Sequence, residues 1–515
     1  MEPGGDFLKS VSVPKGTLLL TAVNLAIRSI TMLFQVYLSG AIGAAGLGLM
    51  QLISSVCMLG ITLGSFGTRV AAMYLIAEEF GHGRTRGVAE AVSACLRLGL
   101  AASAICGALL AAFSPQIASF CLGDPDAAAG LLLCGVFLPV TCLNSVMTGY
   151  YTACGKLRRM IAVELLERIV SILLTVFLLC FSETPAEACT AIFASSGLAG
   201  LFSFLTLYLL YRRETAAVGR VRPGSQMRFR LRRLALPLAA NDCLRSGLST
   251  LEHLLIPYGL VRSGLTHSEA MTAYGTVHGM AFPTLMFCAV ILWSLSDILV
   301  PELSRCRAEG RSARIRYLTG RSLRTALLFS CTVGGFLFSL ADPLGMLLFR
   351  SAEAGRYITL LAPMVPVLYM DAIVDGMHKG LGQQLSCVRY NTLTSSLEIV
   401  LLLILLPRFG VAGYIQSFVL THVLNFYLSI RRLIVVASPR ISVFHALRVL
   451  LSTAAAVFAV LRLFGSSGVA LPLIPAGMLY LSLLFLLFLL TGVLRDVGLR
   501  DILPRTAKKI PRASA

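Results

Sequence analysis

ACTAIFASSGLAGLFSFLTLYLLY, residues 188–211, runs for 24 residues without a charge. A helix of about 20 residues crosses the hydrocarbon core of a bilayer, so this stretch is long enough to span one. A second uncharged run, 469–494, has 26 residues. Across the whole chain of 515 residues, 57% are hydrophobic and 13% charged. That is more apolar side chain than one soluble core can enclose, so the sequence reads as an integral membrane protein.

Extending the same reading outward, and allowing one embedded charge in several runs, gives about fourteen spans. They lie near 16–39, 46–74, 88–113, 127–152, 161–181, 187–211, 235–260, 271–299, 322–341, 355–377, 386–407, 410–430, 441–461 and 469–494. The runs are continuous and lack the ten-residue alternation of membrane barrel strands, so the expected fold class is an all-α integral membrane protein.

The formal net charge is +19. Placing alternate loops on the two sides of the membrane puts most of the Lys and Arg residues on one side. The largest clusters run from Arg212 to Arg233 and from Arg305 to Arg324. This is the positive-inside pattern, which places both termini in the cytoplasm. It explains the excess charge without a nucleic-acid partner, and leaves contact with membrane lipids as the other use of the basic loops. Arg97 and Arg448 lie close enough to span ends to snorkel. Trp293, the single tryptophan, reads as packing.

The 14 cysteines are scattered through apolar runs without a C-x-x-C pair, so neither a disulfide framework nor a metal site is expected. No phosphate-binding glycine loop, nucleophile elbow or zinc-binding helix motif is present. No catalytic residue, metal ligand or cofactor is therefore assigned, and the protein is not expected to be an enzyme.

One span departs from the apolar rule. In AVNLAIRSITMLFQVYLSG, residues 22–40, Arg28 sits near the middle of the longer apolar run 17–39. A central arginine costs at least about 2.5–3.5 kcal/mol on insertion scales, so it should face protein or a water-filled cavity. An internal repeat gives it a counterpart. AVNLAIRS at 22–29 aligns with AANDCLRS at 239–246, pairing Asn24 with Asn241, Arg28 with Arg245 and Ser29 with Ser246. The same displacement pairs Gln35 with Glu252. Further on, GYYTACGK at 149–156 falls on GMHKGLGQ at 376–383, matching Gly149 with Gly376 and Gly155 with Gly382.

Each copy holds about six spans, an even number, so the repeat is parallel. The expected organisation is an N-terminal lobe over 1–220, a C-terminal lobe over 221–440, and two last helices with a basic cytoplasmic tail over 441–515. Asn24, Arg28 and Gln35 share one helix face, as do Asn241, Arg245 and Glu252, and two such stripes are expected to meet across a central cavity. Arginine stays protonated and offers a planar fork to phosphate oxygens. Arg28, Asn24, Ser29, Gln35, Asn241 and Arg245 are accordingly the expected substrate-binding residues. Glu252, His253 and Asp242 are candidates for coupling to H+ or Na+. Pairing of Arg245 with Asp242 or Glu252 is the competing structural reading.

These residues carry a resemblance. The first-span arginine followed by SGAIGAAGLGLMQL, the stretch EHLLIPYGLVRSGLTHSEAMTAYGTVHGMAFPTLMF, LSDILVPELS, GLGQQ and LPRFGVAGYIQ occur in the order and spacing of one group. The chain resembles the multidrug/oligosaccharidyl-lipid/polysaccharide exporter (MOP) superfamily, in particular polysaccharide transporters similar to stage V sporulation protein B, related to lipid II flippases. The resemblance implies a monomeric, fourteen-helix, two-lobed alternating-access exporter of the bacterial plasma membrane. Its implied substrate is a saccharide linked to undecaprenyl pyrophosphate, a precursor of cell wall, spore cortex or another polysaccharide. Arg28 is the residue that matches the spacing of a flippase cavity arginine, counted to Gly43–Ala44.

Two other readings compete. A multidrug/toxin cation antiporter of the same superfamily would want unpaired carboxylates in the first span, where this chain has Arg28. A non-transporting membrane scaffold for envelope-synthesis enzymes would have no need of charged stripes at helical spacing.

Overall fold

The structure is a computed structural model that describes residues 13–216, 219, 221–439, 442–465 and 473–493. Among them the chain is helical throughout, without strands. The expected spans fall mainly on helix where they are described, with breaks at Phe66–Gly67 inside 46–74 and at Met286–Cys288 inside 271–299. Ten helices are long and apolar enough to cross a membrane, or eleven if His267–Leu285 and Ala289–Ala308, bent by 58°, count as one span. The first of the ten, Leu25–Gly81, takes in two expected spans. Leu157–Leu179 and Ser225–Arg262 are helical where the fifth and seventh spans were expected, yet are not among the ten. The number fourteen therefore stays an expectation.

Local chemistry sets the boundaries. Thr184 and Glu187 form a capping box at the start of Pro185–Glu214, with Pro185 at the first helical position. Thr266 and Glu269 do the same for His267–Gly275. The long helix Val13–Ser65 breaks at Gly43, whose φ of 69° and ψ of 179° only glycine adopts readily. Exposed Leu173 and Phe177 on Leu157–Leu179, with Phe181 just after it, suit a surface bathed in lipid rather than water.

The repeat is visible in the helices themselves. Thr85–Ala112 and Ser312–Ser339 are both 28 residues long. Ala128–Ala153 and Val365–Gly380 end in the same turn. Gly155 and Gly382 have φ of 70° and 65°. The Lys156 amide donates to Tyr151 O at 2.9 Å, and the Gln383 amide to His378 O at 2.7 Å. An equivalent turn follows Thr68–Gly81 at Gly83 and Ala289–Ala308 at Gly310, with φ of 71° and 66°.

Contacts group the described chain into two compact units that do not follow chain order. The first comprises residues up to Met32, Ala281–Thr394 and the part from Phe418 onward; the second comprises Leu33–Met280 and Ser395–Ser417. The lobes drawn from the repeat divide sequence copies and stand as a proposal beside this grouping. In the first unit Tyr480 is buried against Cys331, Val449 and Leu484, and donates its hydroxyl to Thr332 O at 3.1 Å. In the second, Tyr151 is buried and donates to Leu207 O at 3.0 Å.

One expectation is corrected. Cys57 and Cys134 form a disulfide inside the second unit, 77 residues apart, with Cα atoms at 6.1 Å. The bond joins the helix following Gly43 to Ala128–Ala153, a proximity created by helix packing that no local cysteine spacing announces.

Candidate functional site

Arg28 belongs to the first unit and is half-buried. Its guanidinium lies over the ring of Trp293, 5.5 Å from the centroid. That is within the range of a cation–π interaction, in which the ring's quadrupole attracts the charge without neutralising it. No carboxylate among the described residues forms an ion pair with Arg28. Trp293 is thus the arginine's stacking partner rather than simple packing, a link the sequence does not signal. Tyr369, in the same unit, donates its hydroxyl to Leu285 O at 2.6 Å and lies within electrostatic reach of Arg28.

The other first-span residues have separate fates. The Asn24 side chain lies outside the described residues. Ser29 Oγ donates to Leu25 O at 2.9 Å, inside its own helix, so its hydrogen is already used. Gln35 falls in the second unit, where Nε2 donates to Gly279 O at 2.9 Å. Gly279 sits in the π-helical stretch Thr276–Ala281, where the looser winding accompanies an acceptor for a side chain from elsewhere in the chain.

The second-copy residues all lie in the second unit. Arg245 is exposed and makes no ion pair with Asp242 or Glu252. Asn241 Nδ2 reaches Asp242 Oδ1 at 3.5 Å, the outer limit of a hydrogen bond. Glu252 makes no ion pair among the described residues, and His253 Nδ1 is 2.9 Å from Tyr274 Oη.

Around His253 the structure brings together residues the sequence left unconnected. The His253 and His278 rings have centroids 5.0 Å apart, and the His278 and Tyr414 centroids are 5.6 Å apart. Glu252 lies within electrostatic reach of Tyr274 and Tyr414. The result is an acid, two imidazoles and two phenols in one unit, an arrangement able to hold or pass a proton. No group of three or more His, Cys, Asp or Glu side chains among the described residues is arranged to hold a metal ion.

A multi-helix protein with membrane-length apolar helices, a repeated helix-and-turn pattern, a broken first helix and an arginine in an apolar helix is the class defined by these features. Residues 20–177 match the MatE family model. The chain is similar to Stage V sporulation protein B of Bacillus subtilis (strain 168), at 25% identity over 78% of this chain and 79% of that protein. In fold it is similar to the lipid II flippase MurJ in an inward closed conformation, with a TM-score of 0.70 and 10% identity over 93% of this chain and 99% of that one. It is also similar to a multidrug resistance MATE family transporter of the MOP superfamily in an inward-facing conformation, with a TM-score of 0.64 and 15% identity over 82% of this chain and 100% of that one. These likenesses show that the chain shares the fold of multi-pass membrane transporters of the MOP superfamily and that its first third matches the MatE model.

Proposed function

We propose that the protein is a flippase that carries a saccharide linked to undecaprenyl pyrophosphate across the plasma membrane by alternating access. The observation that carries this reading is the charge state of the first span: Arg28 is stacked on Trp293 and has no ion-pair partner among the described residues. A guanidinium held this way keeps its charge available to phosphate oxygens, and its planar fork suits two of them. Asn24, Asn241 and Arg245 are proposed to add contacts to phosphate or sugar. Gln35 and Ser29 contribute less, since their hydrogens are engaged elsewhere in the protein. Glu252, with His253 and Asp242 nearby in sequence, is proposed to take up a proton or cation that couples the cycle. No bond is made or broken in this scheme, both termini are cytoplasmic, and the working unit is a monomer. Similarity to Stage V sporulation protein B supports a role in sporulation.

The MATE-like fold keeps cation export as the second reading. Transport in liposomes of defined lipid-linked sugars, with organic cations in parallel, separates the two. The proposal expects movement of the lipid-linked sugar, its loss in Arg28→Ala at normal protein levels, and partial activity in Arg28→Lys. Full activity of Arg28→Ala, or movement of cations alone, overturns it. A protein that moves neither class fits the scaffold reading.

A further inference from the structure

The Thr85–Ala112 and Pro185–Glu214 helices both pack on Ala128–Ala153. Between them lies a cavity of about 670 Å³, lined wholly by residues of the second unit. Its walls combine two exposed cations, Arg97 and Arg212, with Leu100, Leu143, Phe204 and Tyr208. Phe204, Tyr208 and Arg212 follow at intervals of four, so one helix face offers an aromatic strip ending in a charge.

Among the described residues no carboxylate lines the cavity. The acids nearest in sequence are committed elsewhere. Glu90 pairs with Arg86 at 3.6 Å, and Glu214 pairs with Lys156 and Arg159. Neither Arg97 nor Arg212 has an ion-pair partner among the described residues. Leu100 is itself exposed, which suits a surface facing lipid. The cavity therefore offers uncompensated positive charge beside an apolar wall.

We infer that this groove is a binding site for a bilayer phospholipid with a net anionic headgroup. Its phosphate sits between Arg97 and Arg212, and the upper part of an acyl chain lies along Leu100, Leu143 and Phe204. The volume falls within the roughly 300–1,000 Å³ of small-molecule sites, enough for a headgroup and the first carbons of a chain. A zwitterionic headgroup would set its ammonium against two guanidinium groups, whereas a phosphatidylglycerol-type headgroup carries no opposing cation. Arg28 does not line this cavity, and the assignment does not depend on what the protein transports.

Native mass spectrometry of the detergent-solubilised full chain, mixed with equal amounts of phosphatidylglycerol and phosphatidylethanolamine of matched chains, tests the inference. The phosphatidylglycerol-bound fraction should fall about tenfold in Arg97→Gln/Arg212→Gln, with phosphatidylethanolamine little changed. The control pair Arg228→Gln/Arg232→Gln should retain the lipid. Ser93→Phe fills the cavity with both charges intact and should also release it. The idea is overturned by unchanged retention in the double variant or in Ser93→Phe, or by equal retention of both lipids. Displacement by inorganic phosphate would make this a free-phosphate site, and displacement by equimolar undecaprenyl phosphate would make it a site for the carrier lipid; either overturns the assignment to a bilayer phospholipid.

Discussion

Arg28 poses an energetic problem that its partner solves only in part. A central arginine costs at least about 2.5–3.5 kcal/mol on insertion scales, and a cation–π contact returns about 0.5–2 kcal/mol. The remainder has to come from water or an anionic ligand, so the stack positions the charge without consuming it. Trp293→Leu should therefore reduce transport of the lipid-linked sugar severalfold in liposomes, less than Arg28→Ala does, while Trp293→Tyr keeps most of it. Equal loss in the Tyr and Leu variants would show that the aromatic face is not what matters. The arginine was legible in the sequence as a charge in an apolar run. Its partner, 265 positions away, was not, because no local pattern reports which aromatic ring a distant helix delivers.

A second residue-scale feature is structural. Glu79 has a side chain only 5% exposed, and Arg230 reaches it at 2.7 Å while also pairing with Glu78. Removing one partner of a buried pair strands the other, at a cost of about 3 kcal/mol; here Arg84, 3.7 Å from Glu79, offsets part of it. Arg230→Ala should thus lower stability by about 2 kcal/mol in detergent unfolding. Arg228→Ala, on the exposed face two residues away, should change it by less than about 0.5 kcal/mol.

At the scale of elements, the spans were readable because membrane helices must satisfy every backbone group internally, which forces long apolar runs. Their interruptions were less so. Gly43 was noted in a motif, yet only the structure shows that it breaks Val13–Ser65. Gly43→Ala should cost about 1–3 kcal/mol from its backbone angles alone, since a Cβ there would meet nothing within 4 Å. Gly40→Ala, equally open but without a positive φ, should be neutral or slightly stabilising. Comparable losses at the two positions would mean that side-chain crowding, not backbone strain, sets the penalty. The repeated turns make a similar case: Gly155→Ala should cost about 1 kcal/mol from its left-handed conformation, and Gly382→Ala at least as much, because its Cβ would also displace the Arg307 guanidinium.

Over the whole molecule, periodicity and repeats were accessible from sequence, whereas contacts made by packing were not. The matched Gly155 and Gly382 were among few identities, and the structure extends them to helices of equal length and equivalent turns. The Cys57–Cys134 bond had no such trace. It predicts that the denatured, unreduced chain takes up maleimide at 12 cysteines and, after reduction, at all 14. Fourteen in both states would remove the bond.

The repeat also frames the coupling proposal, because corresponding positions have diverged in what they can do. Gln35 donates a hydrogen bond to Gly279 O, which a carboxylate cannot do when ionised. Its counterpart Glu252 makes no ion pair among the described residues and stands beside His253, Tyr274 and Tyr414. One copy thus holds a fixed polar contact and the other an acid that can gain or lose a proton. Glu252→Gln restores the chemistry of the first copy while keeping size and polarity. If Glu252 couples ions, this variant should still move lipid-linked sugar in liposomes down its own gradient. It should no longer respond when a proton or sodium gradient is imposed, whereas the wild type accelerates severalfold. An unchanged response would leave Glu252 a structural residue and shift the coupling role to another group.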